Sequence, residues 1–271
     1  MNYKILLFLP LVLSVIACEE VIDIELDEAE IREVVEATLD GDSGILEVRI
    51  TTTGPYFEAG SVQPISGATV EIQREGDLNV FMAEEQEAGF YRQTLTPEVG
   101  ATYVLRVTTP GGGNYEARST LLERVEIQEI IPEFQAAQGP RDEGYNLTFR
   151  FQDPAGSTNF YRVLHSVNQV PQLEPDDLQI NDDNLFDGGL ARLQLFRQTF
   201  DLGDTVTVEL RHLDQAGYDY FNSLGDIVGG GGGGPNSGSA APGNPTTNWN
   251  GGALGYFSAY FPATRGVVIT E

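Results

Sequence analysis

Apolar and polar residues alternate along much of this chain with the two-residue period of a β-strand. In 45–53, for example, Leu46, Val48 and Ile50 share one face, while charged and polar residues share the other. This alternation is typical of antiparallel sheets with one buried and one solvated face. The pattern recurs, with turn residues between the runs, at 68–74, 103–109, 145–152 and 204–213.

The runs fall into two groups, which predict an all-β fold made of two antiparallel β-sandwich modules of the immunoglobulin-like kind. The expected N-terminal sandwich covers residues 21–120, and the expected C-terminal sandwich covers residues 121–271. Each module is long enough to bury a hydrophobic core of its own.

One stretch in the C-terminal half has a helical period instead of a strand period. Its apolar residues fall three or four positions apart, at Tyr218, Phe221, Leu224 and Val228. Asp214 precedes them and is a residue type that caps helix N-termini. We therefore predict one helix inserted over 214–228. The glycine-rich stretch after it, 229–245, is predicted to be a flexible loop.

The N-terminus has the parts of a bacterial secretory signal, with a basic start, an apolar run over 5–16 and a small Ala17. A run of about a dozen apolar residues is too short to cross a hydrocarbon core of ~30 Å as a helix. Cys18 is the only cysteine in the chain and stands where the lipobox places the lipidated thiol. We predict a signal peptide over 1–17 and a lipidated acidic tether over 18–20.

Two acidic residues, Glu19 and Glu20, follow the cysteine directly. They resemble the surface-export signal of lipoproteins from Bacteroidota. The expected location is the outer membrane, with a lipid anchor and exposure at the cell surface. Because only one cysteine is present, no intramolecular disulfide can form and the fold must be stabilised by packing.

The charge balance is strongly acidic, with 15 Lys and Arg against 41 Asp and Glu and a net charge of −26 at pH 7. Nucleic acid is excluded as a partner, because phosphate binding needs clustered basic residues. The densest acidic run lies in a polar stretch between predicted strands and contains Asp182, Asp183 and Asp187. Two interpretations stay open: a solvated loop, or a site for sugar hydroxyls or a hard cation such as calcium. No other cofactor is predicted.

No catalytic motif is evident. Ser43 lies in a segment, 41–44, that partly matches the nucleophile loop of trypsin-like proteases, but both histidines follow it and a turn explains these residues. His165 and His212 are each in phase with apolar strand residues, which indicates partly buried structural positions. We predict that the chain is not an enzyme.

Aromatic side chains are concentrated near the C-terminus. In a strand, Tyr256 and Tyr260 share one face, and Phe257 shares the other face with Ala259. One face is expected to lie in a core and the other to form a binding surface, joined by Trp249 from the preceding loop. The candidate binding residues are thus Trp249, Tyr256 and Tyr260, with core packing as the alternative interpretation.

Several segments, taken in order, resemble one family. They are CEEVIDI (18–24), SGATV (66–70), GFY (89–91), YVLRV (103–107), FRFQDP (149–154), NFYR (159–162), LFDG (185–188), NPTTN (244–248) and GYFSAY (255–260). They resemble an uncharacterised family of outer-membrane lipoproteins of Bacteroidota, a domain of unknown function typically encoded beside a TonB-dependent receptor. The resemblance implies that location and a TonB-dependent receptor as partner. It implies no catalytic residues.

The leading hypothesis is a non-enzymatic accessory lipoprotein that binds or gates a nutrient for a TonB-dependent outer-membrane transporter. The alternatives are a surface hydrolase that uses a carboxylate pair, and a structural or adhesive surface module. Two carboxylates roughly 5–10 Å apart in a cleft would favour the hydrolase. A broad exposed apolar patch would favour a partner interface.

Overall fold

The computed structural model describes residues 30–54, 62–137, 143–195, 199–228 and 243–270. Within these ranges the chain forms largely antiparallel β-sheets and one α-helix, so the prediction of an all-β sandwich fold with one helix is confirmed. None of the helical residues described forms a segment with the length and apolar character of a membrane span.

The strands pack as two sandwiches. In chain order they are β1 (Glu33–Asp40), β2 (Ile45–Thr52), β3 (Thr69–Arg74), β4 (Val80–Met82), β5 (Glu84–Glu87), β6 (Phe90–Thr94), β7 (Thr102–Thr108), β8 (Asn114–Thr120), β9 (Ile127–Gln135), β10 (Gly144–Gln152), β11 (Phe160–Val167), β12 (Val170–Gln172), β13 (Gln179–Asp182), β14 (Leu190–Gln194), β15 (Thr205–Leu213), β16 (Leu254–Tyr260) and β17 (Pro262–Val268). A short 3₁₀ turn, Pro175–Asp177, lies between β12 and β13.

The first sandwich packs a five-stranded sheet, in the order β16-β1-β2-β6-β5, against a four-stranded sheet, in the order β4-β3-β7-β8. Val48 and Ile50 of β2 are fully buried and lie opposite Ala37 and Val35 of β1. The residues between them point away from the core. The alternation read from the sequence therefore produces one wall of this core.

One strand of the first sandwich comes from the far end of the chain. β16 runs parallel to β1, with Gly255 opposite Val35 and Phe257 opposite Ala37. A Cβ on Gly255 would lie 2.2 Å from the Val35 carbonyl oxygen, and its φ of +92° also favours glycine. This pairing corrects the predicted division of the chain, because β16 falls within the expected C-terminal module of 121–271 but belongs to the N-terminal sandwich.

The second sandwich has a three-stranded sheet, β14-β10-β9, and a larger sheet, β12-β11-β15-β17, in which β13 also pairs with β11. Its core is rich in aromatic side chains, including the fully buried Phe149, Phe151 and Tyr161. The rings of Phe151 and Tyr161 lie with their centroids 4.7 Å apart, which is within the range of favourable aromatic pairs.

Helix α1 (Gln215–Val228) corresponds to the helix predicted over 214–228. Asp214 caps it, because its Oδ1 accepts a hydrogen bond of 2.9 Å from the Gly217 N–H. α1 packs against β11, β13 and β15 of the second sandwich and against β16 of the first. It therefore lies at the junction between the two sandwiches. Residues 229–242 of the predicted loop lie outside the described ranges.

Candidate functional site

The predicted site residues fall into an anchor group, an acidic group and an aromatic group. Cys18, Glu19 and Glu20 lie outside the described residues, so lipidation and surface export stay predictions. The acidic and aromatic groups are described, and the structure places them in different surroundings.

Three carboxylates meet where β10 and β13 end. Asp153 follows β10, Asp183 follows β13, and Asp187 lies in the next turn. One oxygen of each lies within 4.8 Å of the others. Asp153 and Asp183 are only 2% exposed, whereas Asp187 is exposed. The fold thus joins two of the predicted acidic residues to Asp153, which nothing in the sequence indicated.

Backbone N–H groups hold these three carboxylates in place, across two facing loops. Each carboxylate accepts a hydrogen bond of 2.8–3.0 Å from the loop opposite its own. The donors are the N–H groups of Gly188 for Asp153, Asn159 for Asp183 and Gly156 for Asp187. The carboxylate cluster therefore fastens loop 153–159 to loop 183–189.

A buried tyrosine and a buried histidine lie beneath the cluster. The Tyr161 hydroxyl donates to Asp153, and burial together with this hydrogen bond raises the pKa of Tyr161 well above its ordinary value. His212 stacks on Tyr161 with ring centroids 5.3 Å apart, and its Nε2 lies 3.1 Å from Asn159 Oδ1. Burial lowers the pKa of His212, so the imidazole is neutral at pH 7. Both side chains have structural partners.

Asp182 does not join the cluster. It is the last residue of β13, so its side chain points to the side opposite Asp183, and its Oδ1 accepts from the Asn184 N–H at 3.2 Å. The solvated-loop interpretation fits Asp187, which is exposed. It does not fit Asp183, whose carboxylate is buried among loop residues.

Three clustered carboxylate oxygens are the kind of ligand set that hard cations such as calcium take. A cation would offset the repulsion between the two buried carboxylates, while the N–H donors already give the cluster a structural role. Burial speaks against use of this cluster as a hydrolytic carboxylate pair. Of the three groups, only Asp187 is open to a substrate from solvent.

Trp249 packs in the core of the first sandwich. Its side chain is 4% exposed, and its indole N–H donates to the Val35 carbonyl at 2.9 Å. This corrects the prediction of Trp249 as a binding residue and favours the core alternative. The reason is topological: β16 pairs with β1, which carries the preceding loop over the first core.

Tyr256 and Tyr260 lie on the opposite face of β16 from Phe257, as the alternation predicted. The Tyr256 ring contacts Tyr220 and Phe221 of α1, with centroids 4.6 and 4.8 Å apart. Tyr260 is covered by the second sandwich and is buried, which raises its pKa to about 12. The face predicted to bind a ligand is therefore occupied by other parts of the same chain.

Two arginines lie directly opposite each other across β11 and β15 at this junction. Arg211 covers the Tyr260 ring, 4.0 Å from its centroid, and forms an ion pair with Glu209. Arg162 lies 3.9 Å from the centroid of the Phe221 ring. The groups that act on the charge of Arg162 are tyrosine hydroxyls and Arg211, and burial lowers the pKa of Arg162. An arginine nevertheless stays protonated, so the described residues leave a largely buried cation without a carboxylate partner.

A cleft of about 390 Å³ opens beside Arg162, and we name it the α1 cleft. Its apolar walls are Leu173 and Leu178 of the segment after β12, and Leu224 and Val228 of α1. Glu174 and Asp177 also line it. The apolar walls suit a small apolar molecule, and Arg162 is the one cation among the lining residues that would pair with an anionic group on it, against the negative charge of the two carboxylates. The sequence did not indicate this site, because Arg162 has the alternation of an ordinary outward-facing strand residue.

The chain matches a known protein family along most of its length. The family described as "Domain of unknown function (DUF4249)" matches residues 19–265. A search of curated proteins finds no match. The comparison therefore identifies the family of the chain but assigns it no ligand or reaction. A functional proposal must be argued from the side chains of the candidate sites.

Proposed function

We propose that this chain, which belongs to the DUF4249 family of domains of unknown function, is a lipoprotein of a Bacteroidota outer membrane. In this proposal it binds or gates a nutrient for a TonB-dependent transporter and catalyses no reaction itself. Cys18 carries the lipid, and Glu19 and Glu20 direct the protein to the cell surface. The TonB-dependent receptor is the partner that receives the nutrient.

The α1 cleft carries the binding part of this proposal. A buried charge without a partner is unfavourable, because it has lost its water and gained no opposite charge. Among the described residues, the partners of the largely buried Arg162 are an aromatic ring and tyrosine hydroxyls but no carboxylate, and it lies on the wall of an open cleft. A ligand carboxylate, sulfonate or phosphate would supply the missing opposite charge.

The size and walls of the cleft limit the ligand. A volume of about 390 Å³ is near the lower end of the roughly 300–1,000 Å³ of small-molecule sites. Leu173 and Leu224 supply apolar surface, while Glu174 and Asp177 disfavour ligands with several negative charges. A small, largely apolar molecule with one anionic group therefore fits best.

Two features support the anchored location. Val15, Ile16 and Ala17 precede Cys18 in the order of a lipobox, and the acidic pair follows it. The family match begins at residue 19, directly after the cysteine. The matched region thus starts where the mature, lipidated domain is expected to start.

Binding in the α1 cleft is testable with anilinonaphthalene sulfonate, an apolar anion whose fluorescence rises on binding. Leu224→Glu places a like charge in the cleft and should abolish most of the fluorescence gain. Asn222→Glu adds the same charge to the exposed side of the same helix and should leave binding unchanged. Equal binding by both variants, at equal melting temperatures, would show that the probe binds elsewhere.

The anchor and partner are testable in cells. Cys18→Ala should release the protein from membranes into the soluble exported fraction, and the lipidated protein should co-purify with a TonB-dependent receptor. A Cys18→Ala protein that still sediments with salt-washed membranes contradicts the lipid anchor. Recovery of the lipidated protein without any such receptor, after mild detergent extraction, contradicts the proposed partner.

A further inference from the structure

One edge of the first sandwich exposes a run of apolar residues. Within the described chain, β4 pairs with β3 alone and β5 pairs with β6 alone, so both strands lie at the ends of their sheets. Val80, Phe81 and Met82, which make up all of β4, are 45%, 41% and 46% exposed, and Leu78 before them is 97% exposed. We name β4 and β5 together the open edge.

The free side of β4 presents backbone hydrogen-bonding groups. The Ala83 N–H bonds to the Val70 carbonyl of β3 at 2.9 Å. This bond determines which residues of β4 direct their backbone N–H and carbonyl towards β3, because every second residue does so. Phe81 is two residues away, so its N–H and carbonyl point towards β3, and those of Val80 and Met82 point outward. Gln93 already occupies the outward Met82 carbonyl at 2.8 Å. Within the described residues, the Val80 N–H and carbonyl and the Met82 N–H have no partner and are left for an added strand.

A cavity of about 390 Å³ lies beside this edge, between the two sheets. Phe81 lines it together with Ile72 and Tyr103, which are both core residues, and with Leu95, which directly follows β6 of the other sheet. Arg74 and Asp77 line the cavity as well. They form an ion pair at 2.9 Å, and the charges of the two side chains cancel. A strand added to β4 would direct every second side chain, in phase with Phe81, towards this cavity.

The charge around the open edge selects the kind of strand that fits. All four residues of β5 are exposed, and three of them, Glu84, Glu85 and Glu87, are acidic. A second copy of this chain would bring two such acidic strands together, on molecules that each carry a net charge of −26. An extended segment with apolar residues on one face and Lys or Arg on the other is complementary to this edge. Its apolar side chains fit the cavity, and its basic side chains are attracted to the glutamates of β5.

From these observations we infer that the open edge binds an extended, basic and apolar segment of another protein by strand addition to β4. Main-chain bonds to Val80 and Met82 supply the pairing, and an apolar side chain in the cavity supplies the anchor. The inference is independent of the α1 cleft, which lies at the junction with the second sandwich. It would stand even if no nutrient were bound there.

The test uses the full exported chain with Cys18→Ala, labelled with ¹⁵N, and a capped hexapeptide of alternating lysine and valine. Added peptide should shift the amide signals of Val80 and Met82 and slow their exchange with solvent. A matched peptide of glutamate and valine should leave them unchanged. No response of these amides at millimolar peptide overturns the inference, as does an equal response to the acidic peptide. Concentration-dependent dimerisation through β4 would overturn the choice of partner.

Two variants separate strand addition from unspecific adhesion. Val80→Pro removes one outward N–H and should weaken peptide binding by about fivefold or more, as expected for a lost hydrogen bond. Val268→Pro is the matched control, because Val268 is a half-exposed valine of the edge strand β17. If Val80→Pro also lowers the melting temperature, Phe81→Ser provides the second measurement. Unchanged peptide affinity in both β4 variants overturns the inference.

Discussion

The two edges of the first sandwich differ, because one is covered by other parts of the chain and the other is exposed. At the edge formed by β8 and β16, which we name the closed edge, the segment 248–250 ties the two sheets together. Asn248 bonds to the Arg118 carbonyl of β8 and to the Phe257 carbonyl of β16, at 3.1 and 2.7 Å. The Asn250 N–H bonds to the Glu116 carbonyl at 2.8 Å. At the open edge the Gln93 side chain of β6 bonds to the Met82 carbonyl of β4, but among the described residues no segment crosses the edge as 248–250 does.

The closed edge is also covered by the second sandwich and by α1. Asp214 caps α1 and at the same time accepts from the Ser119 hydroxyl and the Thr120 N–H of β8, each at 2.8 Å. Ser119 in turn accepts from the Ala259 N–H of β16 at 2.9 Å. One carboxylate therefore links both sheets of the first sandwich to the helix.

The two edges differ in how far apart in sequence their residues lie. Residues more than two hundred positions apart in sequence meet at the closed edge, as Val35 and Trp249 do. At the open edge, by contrast, apolar residues next to one another in sequence stay exposed. An exposed apolar edge strand invites pairing with another chain, and natural proteins usually shield it. The acidic residues of β5 beside it restrict which chains can pair.

The largest expected effect is at the closed edge, where Trp249→Ala removes a core ring and its hydrogen bond. We expect a loss of about 3–5 kcal/mol in the free energy of unfolding, the usual cost of truncating a buried aromatic residue. Phe81→Ala is the matched truncation at the open edge and should have a much smaller effect. Denaturant unfolding of both variants measures the difference. Similar losses would mean that the two edges are equally packed.

The second prediction concerns alkaline pH and the junction that covers the closed edge. The pKa of Tyr260 is raised to about 12 by burial, against about 10 in the unfolded chain. Between these values only the unfolded state releases this proton, so the stability from Tyr260 is complete below pH 10 and is lost towards pH 12. The loss should be roughly 2–3 kcal/mol.

Tyr260→Phe tests this assignment, because phenylalanine keeps the ring and removes the proton. Its free energy of unfolding should fall less steeply between pH 10 and 12 than that of the unmodified protein. Some loss should persist, because burial also raises the pKa of Tyr115, to about 12. An unchanged pH dependence would indicate that Tyr260 is already exposed to solvent.

The contrast between the edges also shows what a sequence can reveal. Period-two alternation correctly separated Tyr256 and Tyr260 from Phe257, because it depends only on neighbours along one strand. It could not reveal that β16 pairs with β1, because alternation gives the faces of a strand and not its partner. Assigning β16 to the C-terminal module was therefore the natural expectation and the incorrect one.

The same reasoning explains the candidate sites. Asp214 was recognisable as a helix cap because capping is local. Asp153 joins Asp183 only because β10 and β13 end side by side, which no spacing in the sequence encodes. Arg162 was likewise hidden. Its unusual character depends on α1 and β16, which bury it from two directions.

The third prediction removes the link between the closed edge and the helix. Asp214→Ala loses the cap of α1 and the bonds to Ser119 and Thr120, and should cost about 1–2 kcal/mol. Asp219→Ala, on the exposed surface of the same helix, loses only a contact with Gln215 and should cost a few tenths of a kcal/mol. Thermal unfolding compares the two. Equal losses would show that neither the cap nor the bonds to β8 stabilise the fold more than a surface contact does.

The smallest expected effect is at the open edge itself. Met82 is half-exposed and its main chain points outward, so Met82→Lys should change the free energy of unfolding by no more than about 0.5 kcal/mol. The lysine would stand close to Glu84 in the chain, which offsets the loss of apolar contact. Its effect should instead appear in binding, because a lysine on an edge strand repels a basic segment and blocks pairing. The lysine–valine peptide should then bind more weakly at unchanged melting temperature. A loss of stability comparable with that of Trp249→Ala would place Met82 in a packed core and remove the distinction between the two edges.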